Sequence, residues 1–261
     1  MSSAIRPARQ SRSFRWLALF ASLLMLGGCG TQPPTTEESG GPGVAFQQAF
    51  PRVTCGGPPG FDPALLDEPG RAEQGNDPTA SALRAALVPK EGETDVLPDT
   101  GWVEVTRTDD LVKFIADGGD GPGLAIVTIQ QRDGQWLPDV SGRCDLRPEL
   151  RDGLNLAQFR VAPHEQLTAD TTELDVLVLE GACTSGEDAQ GRIVEPTIVR
   201  GSDALTVVFA TVPLDGAAEC EITPETPFVL ELPEPLGDRM LLDGSSIPPR
   251  DATTCHPRVC P

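Results

Sequence analysis

Two histidines, 39 carboxylates and seven cysteines are the side chains through which this 261-residue chain could act chemically. A Ser-His-Asp hydrolase would need His164 or His256 as its base, since these are the only imidazoles. His164 stands in Ala162-Pro163-His164-Glu165, a loop sequence, and no serine occupies a GxSxG elbow. His256 lies between Cys255 and Pro257 and reads as part of an exposed C-terminal cysteine loop. Paired carboxylates can hydrolyse glycosides when they stand about 5 to 9.5 Å apart. With so many acids, however, pairs such as Asp109 with Asp110 or Asp117 with Asp120 are uninformative without geometry. Asp117-Gly118-Gly119-Asp120-Gly121 offers oxygens to calcium but lacks the alternating ligands and distal Glu of an EF-hand, so it reads as a glycine-rich turn. No glycine loop of the phosphate-binding type follows a strand and opens a helix. The formal charge of -19 leaves no clustered Lys and Arg to neutralise a phosphate backbone, which removes nucleic acid from the expected partners. The sequence calls for no cofactor and no metal, and it offers no catalytic set.

The N-terminus carries a clearer signal. Arg6, Arg9, Arg12 and Arg15 are the only charges before Glu37, and residues 16–26 are an unbroken apolar or small stretch. This is a signal peptide pattern. Eleven residues rising ~1.5 Å each reach about 16 Å, roughly half of a ~30 Å hydrocarbon core, so a permanent span is not expected. Leu26, Gly27, Gly28 and Cys29 follow, and this stretch resembles the bacterial lipobox. The resemblance implies cleavage between Gly28 and Cys29 and attachment of diacylglycerol to the Cys29 thiol. A single acyl chain binds a membrane only marginally, whereas two should hold the chain there. Loss of 28 residues leaves 16 basic against 39 acidic residues, a body repelled by anionic headgroups and wall polymers. Residues 30–44, rich in Pro, Gly, Thr and Glu, have the composition of a tether that reaches at most ~50 Å.

With Cys29 assigned to lipid, Cys55, Cys144, Cys183, Cys220, Cys255 and Cys260 remain, an even number for an oxidising compartment. No CxxC pair occurs, and the spacing fails the usual zinc patterns. Three disulfides are expected. Sequence leaves 15 connectivities open. The expected pairing is sequential, Cys55 with Cys144, Cys183 with Cys220 and Cys255 with Cys260.

These residues must be positioned by a mainly β body. Asn76-Asp77-Pro78 before TASALRAALV gives an N-cap acid, proline at the first helical position and Leu83, Ala86 and Leu87 at helical spacing. It is the one convincing helix. From Gly101 the period changes to two, and WVEVTR, LVKFIA, GLAIVTIQQ and GQWLP, separated by turn sequences, read as an antiparallel meander. Trp102 and Trp136 fall in these runs and are assigned to core packing. A cluster of Pro, Asp and Arg at residues 143–153 marks a seam. Beyond it NLAQFRV, ELDVLVLE, RIVEPTIV, ALTVVFATV, PFVLEL and MLLDG repeat the strand rhythm, which suggests a β-sandwich of immunoglobulin-like size. Residues 174–180 are apolar on both faces and are expected to be a central strand. Asp238 and Arg239 are expected to pair locally or to cap the last strand.

The expected organisation is therefore a signal peptide at 1–28 and a lipidated cysteine with a disordered tether at 29–45. A helix plus β-meander subdomain follows at 46–150, then a β-sandwich-like subdomain at 151–261 with a disulfide-closed tail. Cys55-Gly56-Gly57-Pro58, the block at residues 72–78 (AEQGNDP), Asp133-Gly134-Gln135-Trp136 and the block at 235–244 (PLGDRMLLDG) resemble actinobacterial secreted lipoproteins. The basic complement of 18 Arg to 2 Lys suits a GC-rich source. The resemblance implies a location and carries no activity. The expected function is a non-catalytic, lipid-anchored extracytoplasmic binding or envelope-associated module on the cell membrane. Its membrane contact is through diacylglycerol on Cys29, and its ligand is unspecified. Two alternatives stand beside it: a secreted hydrolase using acidic residues on an envelope polymer, and an accessory lipoprotein working through a protein partner.

Overall fold

The computed structural model describes residues 42–89, 96–119, 123–151 and 153–254. The expected signal peptide, Cys29 and most of the tether lie outside the described residues, as do Asp120, His256 and the Cys255 and Cys260 pair. Among the described residues the chain is mainly β, with two α-helices, two short 3-10 helices and thirteen strands.

Helix α2 (Pro78–Ala86) forms where the sequence places it. Asp77 Oδ1 accepts hydrogen bonds from the amides of Thr79 and Ala80 at 2.9 and 3.1 Å, which satisfies two of the donors a helix start leaves open. Its Ala82 and Leu83 pack on the sheet below. Helix α1 (Pro42–Ala49) is a departure, because it begins inside the segment expected to be a tether. So short a helix is stabilised by tertiary burial. Phe46 is buried against Val199 and Val208, with the ring of Phe50 5.1 Å away.

The first sheet is the expected antiparallel meander, β2 (Val103–Arg107), β3 (Leu111–Asp117), β4 (Leu124–Arg132) and β5 (Gln135–Cys144), in that order. Asp133 and Gly134, both at positive φ (51° and 77°), make the two-residue turn that matches strand twist between β4 and β5. One face of this sheet packs under α2 around Trp102, Phe114 and Ile129, with Trp136 at the margin. The other packs Val105, Ile115 and Ile126 against Phe61 and Cys55.

The second sheet has seven strands: β7 (Asn155–Val161), β8 (Glu173–Glu180), β9 (Thr197–Arg200), β10 (Ala204–Thr211), β11 (Thr226–Glu231), β12 (Met240–Asp243) and β13 (Arg250–Asp251). Its path runs β11-β8-β7-β10-β12-β13, β9 pairs with β10, and the pairing is antiparallel except between β10 and β12. β8 lies inside the sheet with Leu174, Val176 and Val178 buried on one face and Leu177 and Leu179 half-buried on the other. The strand buried along its entire length is β10. β10 shares ladders with β7, β9 and β12, so neither edge nor face meets solvent.

The described residues belong to one compact unit. A short ladder joins β1 (Val53–Thr54) to β6 (Arg147–Pro148). The amide of Ile247 donates to the Leu146 carbonyl at 2.8 Å, and Arg250 reaches Asp145 at 3.4 Å. These contacts bring residues 143–153 beside both sheets.

Candidate functional site at the seam

The seam is built first by a disulfide. Cys55 is bonded to Cys144 with their Cα atoms 5.5 Å apart, and Cys183 to Cys220 at 4.4 Å. Two members of the sequential pairing are thus present, and the third lies outside the described residues. Gly56 and Gly57 follow Cys55 at φ +72° and +92°, a region that side chains avoid. A Cβ on Gly56 would also stand 3.0 Å from Ile126 Cδ1.

Two charged side chains hold this loop. Lys113 of β3 is only 3% exposed, and its ammonium donates to the carbonyls of Gly57, Pro58 and Pro59. Burial pushes the Lys113 ammonium below its ordinary range, and Glu149 opposes that shift. Glu149 accepts from the Gly60 amide at 2.6 Å and from Arg52 Nε at 2.7 Å. Burial pushes Glu149 up, but the Gly60 amide, Arg52 and Lys113 together bring it below the usual carboxylate range.

Against this loop opens a cavity of about 240 Å³, and Thr54, Pro58, Arg147, Leu150, Leu154 and Leu156 are among its walls. A second, of about 170 Å³, shares Arg147 and Leu156 and extends over Gln158, Leu179, Glu180 and Ser245. Arg147 is half-buried, and its guanidinium makes no hydrogen bond or ion pair with any described residue. The acids in the two walls are already engaged. Glu149 is held as above, and Glu180, with a side chain 1% exposed, accepts from Thr211 at 2.7 Å, from Asn155 at 3.1 Å and from Arg192 at 3.1 Å. Burial pushes Glu180 up, yet Arg192, Thr211 and Asn155 bring it below the ordinary value. Among the described residues the groove therefore presents an apolar floor, an unneutralised cation and no unengaged carboxylate. This is a lining suited to binding.

Elsewhere the residues singled out from sequence are dispersed. Asp109 and Asp110 sit exposed in the turn before β3, where Asp110 accepts from Thr108 at 2.8 Å. His164 stands at the end of β7, 69% exposed, with Nε2 2.9 Å from Asp175 Oδ2. Glu165 Oε1 accepts from the Asp175 amide at 3.0 Å, and one ligand atom of each of the three residues lies within 4.8 Å of the others. One imidazole and two carboxylates are donors suited to a divalent cation, and of the described residues these could hold one. A cavity of about 420 Å³ adjoins them, with Glu165 as its one carboxylate, no aromatic wall, and Arg160 clamped to Glu225 by two 2.7 Å hydrogen bonds. Asp238 is not the partner of Arg239, which pairs with Glu234 at 2.6 Å and donates to the carbonyls of Pro235 and Leu236. Proline at 235 and the intervening turn bring Glu234, five residues back, onto the guanidinium.

Sequence reasoning marked residues 143–153 as a seam without identifying Arg147 within it. The available signal was the spacing of Arg143, Arg147 and Arg151 in so acidic a chain. Comparison with known proteins finds no matching family model, no matching curated protein and no matching solved structure. No helix of the described residues is long and apolar enough to cross a membrane. Two disulfides are the chemistry of an oxidising, extracytoplasmic compartment.

Proposed function

We propose that the protein is a lipid-anchored binding module of the extracytoplasmic membrane face, tethered through diacylglycerol on Cys29, with the seam around Arg147 as its ligand site. The binding part rests on one observation, a half-buried guanidinium with no counter-ion among the described residues, on the wall shared by two cavities. The location is supported by the residues around Cys29, by the resemblance to actinobacterial lipoproteins and by the two disulfides. The acidic body supports a module that stands off an anionic surface on its tether. Changing Cys29→Ser in the producing cell should abolish acylation and release the protein from the membrane fraction into the medium. Unchanged membrane retention contradicts the anchor.

A further inference from the structure

We propose that the seam groove takes an anionic amphiphile, a single carboxylate or phosphate monoester carried on a short apolar body, with Arg147 as the residue that receives the charge. This deepens the reading of the seam as a ligand site and depends on it.

The inference begins with supply and demand of charge. Acids outnumber bases 39 to 20, so a basic side chain in this protein has no shortage of partners. The arginines bear this out. Of the thirteen described, all but Arg71, Arg147 and Arg151 bond or pair through the guanidinium, either with a carboxylate, as Arg52, Arg160, Arg192 and Arg239 do, or with backbone carbonyls, as Arg84 does. Arg71 is exposed, where water serves it. Arg147 is not, and a cation partly removed from water without a partner is destabilising. Arg151, exposed and equally unpaired, lines the same cavity. Two of the three unpaired guanidiniums thus converge on one groove.

The two described acids in the walls are turned away from Arg147. Glu149 is fixed by the Gly60 amide and Arg52, and Glu180 by Arg192, Thr211 and Asn155. Each lines a cavity wall, but its oxygens are already directed elsewhere. The free fork of Arg147 suits a planar carboxylate or a phosphate, which it can meet with two parallel hydrogen bonds. Pro58, Leu150, Leu154 and Leu156 offer apolar surface beside it. At about 240 and 170 Å³ the two neighbouring cavities are each smaller than a drug-sized pocket, which restricts the body to a short chain.

The test titrates the full-length purified protein with hexanoate, hexyl phosphate, inorganic phosphate and 1-hexanol, followed by calorimetry and by NMR of the leucine methyl groups. Hexanoate or hexyl phosphate should bind with roughly millimolar or tighter affinity, shift Leu150, Leu154 and Leu156, and weaken with added salt. Whichever of the two binds more tightly identifies a carboxylate or a phosphate source. Arg147→Gln should reduce that affinity at least about tenfold, and Arg71→Gln should leave it unchanged. If Arg147→Gln does not fold, Arg147→Lys with the salt dependence of the unaltered protein serves instead, and loss of the two-bond fork should weaken binding severalfold. Binding of 1-hexanol as tight as that of hexanoate, or an affinity indifferent to salt and to Arg147, overturns the anionic assignment while leaving the seam as an apolar site. Failure of all four probes at millimolar concentration overturns the assignment and the seam as a ligand site together.

Discussion

Lys113 is the only lysine among the described residues, and it has three donors for three carbonyls of the Cys55 loop. Lys113→Met would fill similar space but leave those carbonyls unpartnered in a buried place, so it should cost about 2 to 3 kcal/mol of stability, read by chemical denaturation. A second titratable group acts through pH. Asp243 is buried and accepts from the Ser245 amide at 3.0 Å and hydroxyl at 2.7 Å. Burial pushes it up to about 6 against those hydrogen bonds and the nearby Arg250. Because its folded value is raised, the protonated form is the stabilising one. Its contribution is complete below the unfolded value of 3.8 and is lost as pH rises through about 6. Relative to Asp243→Asn, the unaltered protein should gain on the order of 2 kcal/mol as pH falls from 7 to 4, measured by denaturation across that window. A parallel pair of curves would contradict this. Lys113 was visible in sequence as a charge inside the run LVKFIA, whereas the isolation of Arg147 was not. Whether a cation is paired depends on where the acids of other strands point, and single-residue patterns do not encode that.

At the scale of elements, local signals determined what was legible. α2 is specified by a cap, a proline and an apolar spacing within eleven residues, and the β4–β5 hairpin by Asp133-Gly134. Helix α1 was hidden in a sequence rich in Gly and Pro, because what holds it is Phe46 against strands about 150 residues away. β8 was expected to be a central strand and lies between β11 and β7, whereas the fully buried strand is β10, whose extra partner β12 arrives in parallel from later in the chain. Long-range pairing of this kind has no local signature. The disulfides can be compared directly. Cys55–Cys144 closes a separation of 89 residues and Cys183–Cys220 one of 37. In the chain-entropy picture these contribute about 4.5 and about 4 kcal/mol. Paired Cys→Ser variants should both lose several kcal/mol, with the Cys55–Cys144 variant also freeing the loop that walls the seam groove. Faster amide exchange at residues 56–60 in that variant alone would support this, and equal exchange in the two would contradict it.

For the whole molecule, charge, anchor and groove address one situation. In the proposed arrangement a strongly acidic body would resist settling onto an anionic membrane, two acyl chains would hold it there, and a tether would set the distance. Against that acidic background the unpaired Arg147 and Arg151 are selective features of the groove, since the rest of the surface would repel anions until they reach it. Mass spectrometry of the intact protein, purified in detergent from the membranes of the cell that makes it, tests this most directly. A chain beginning at Cys29, carrying diacylglycerol on that thiol and with its other six cysteines oxidised in pairs, is the predicted result. An unacylated N-terminus, or a full complement of free thiols in a chain that still begins at Met1, would contradict it.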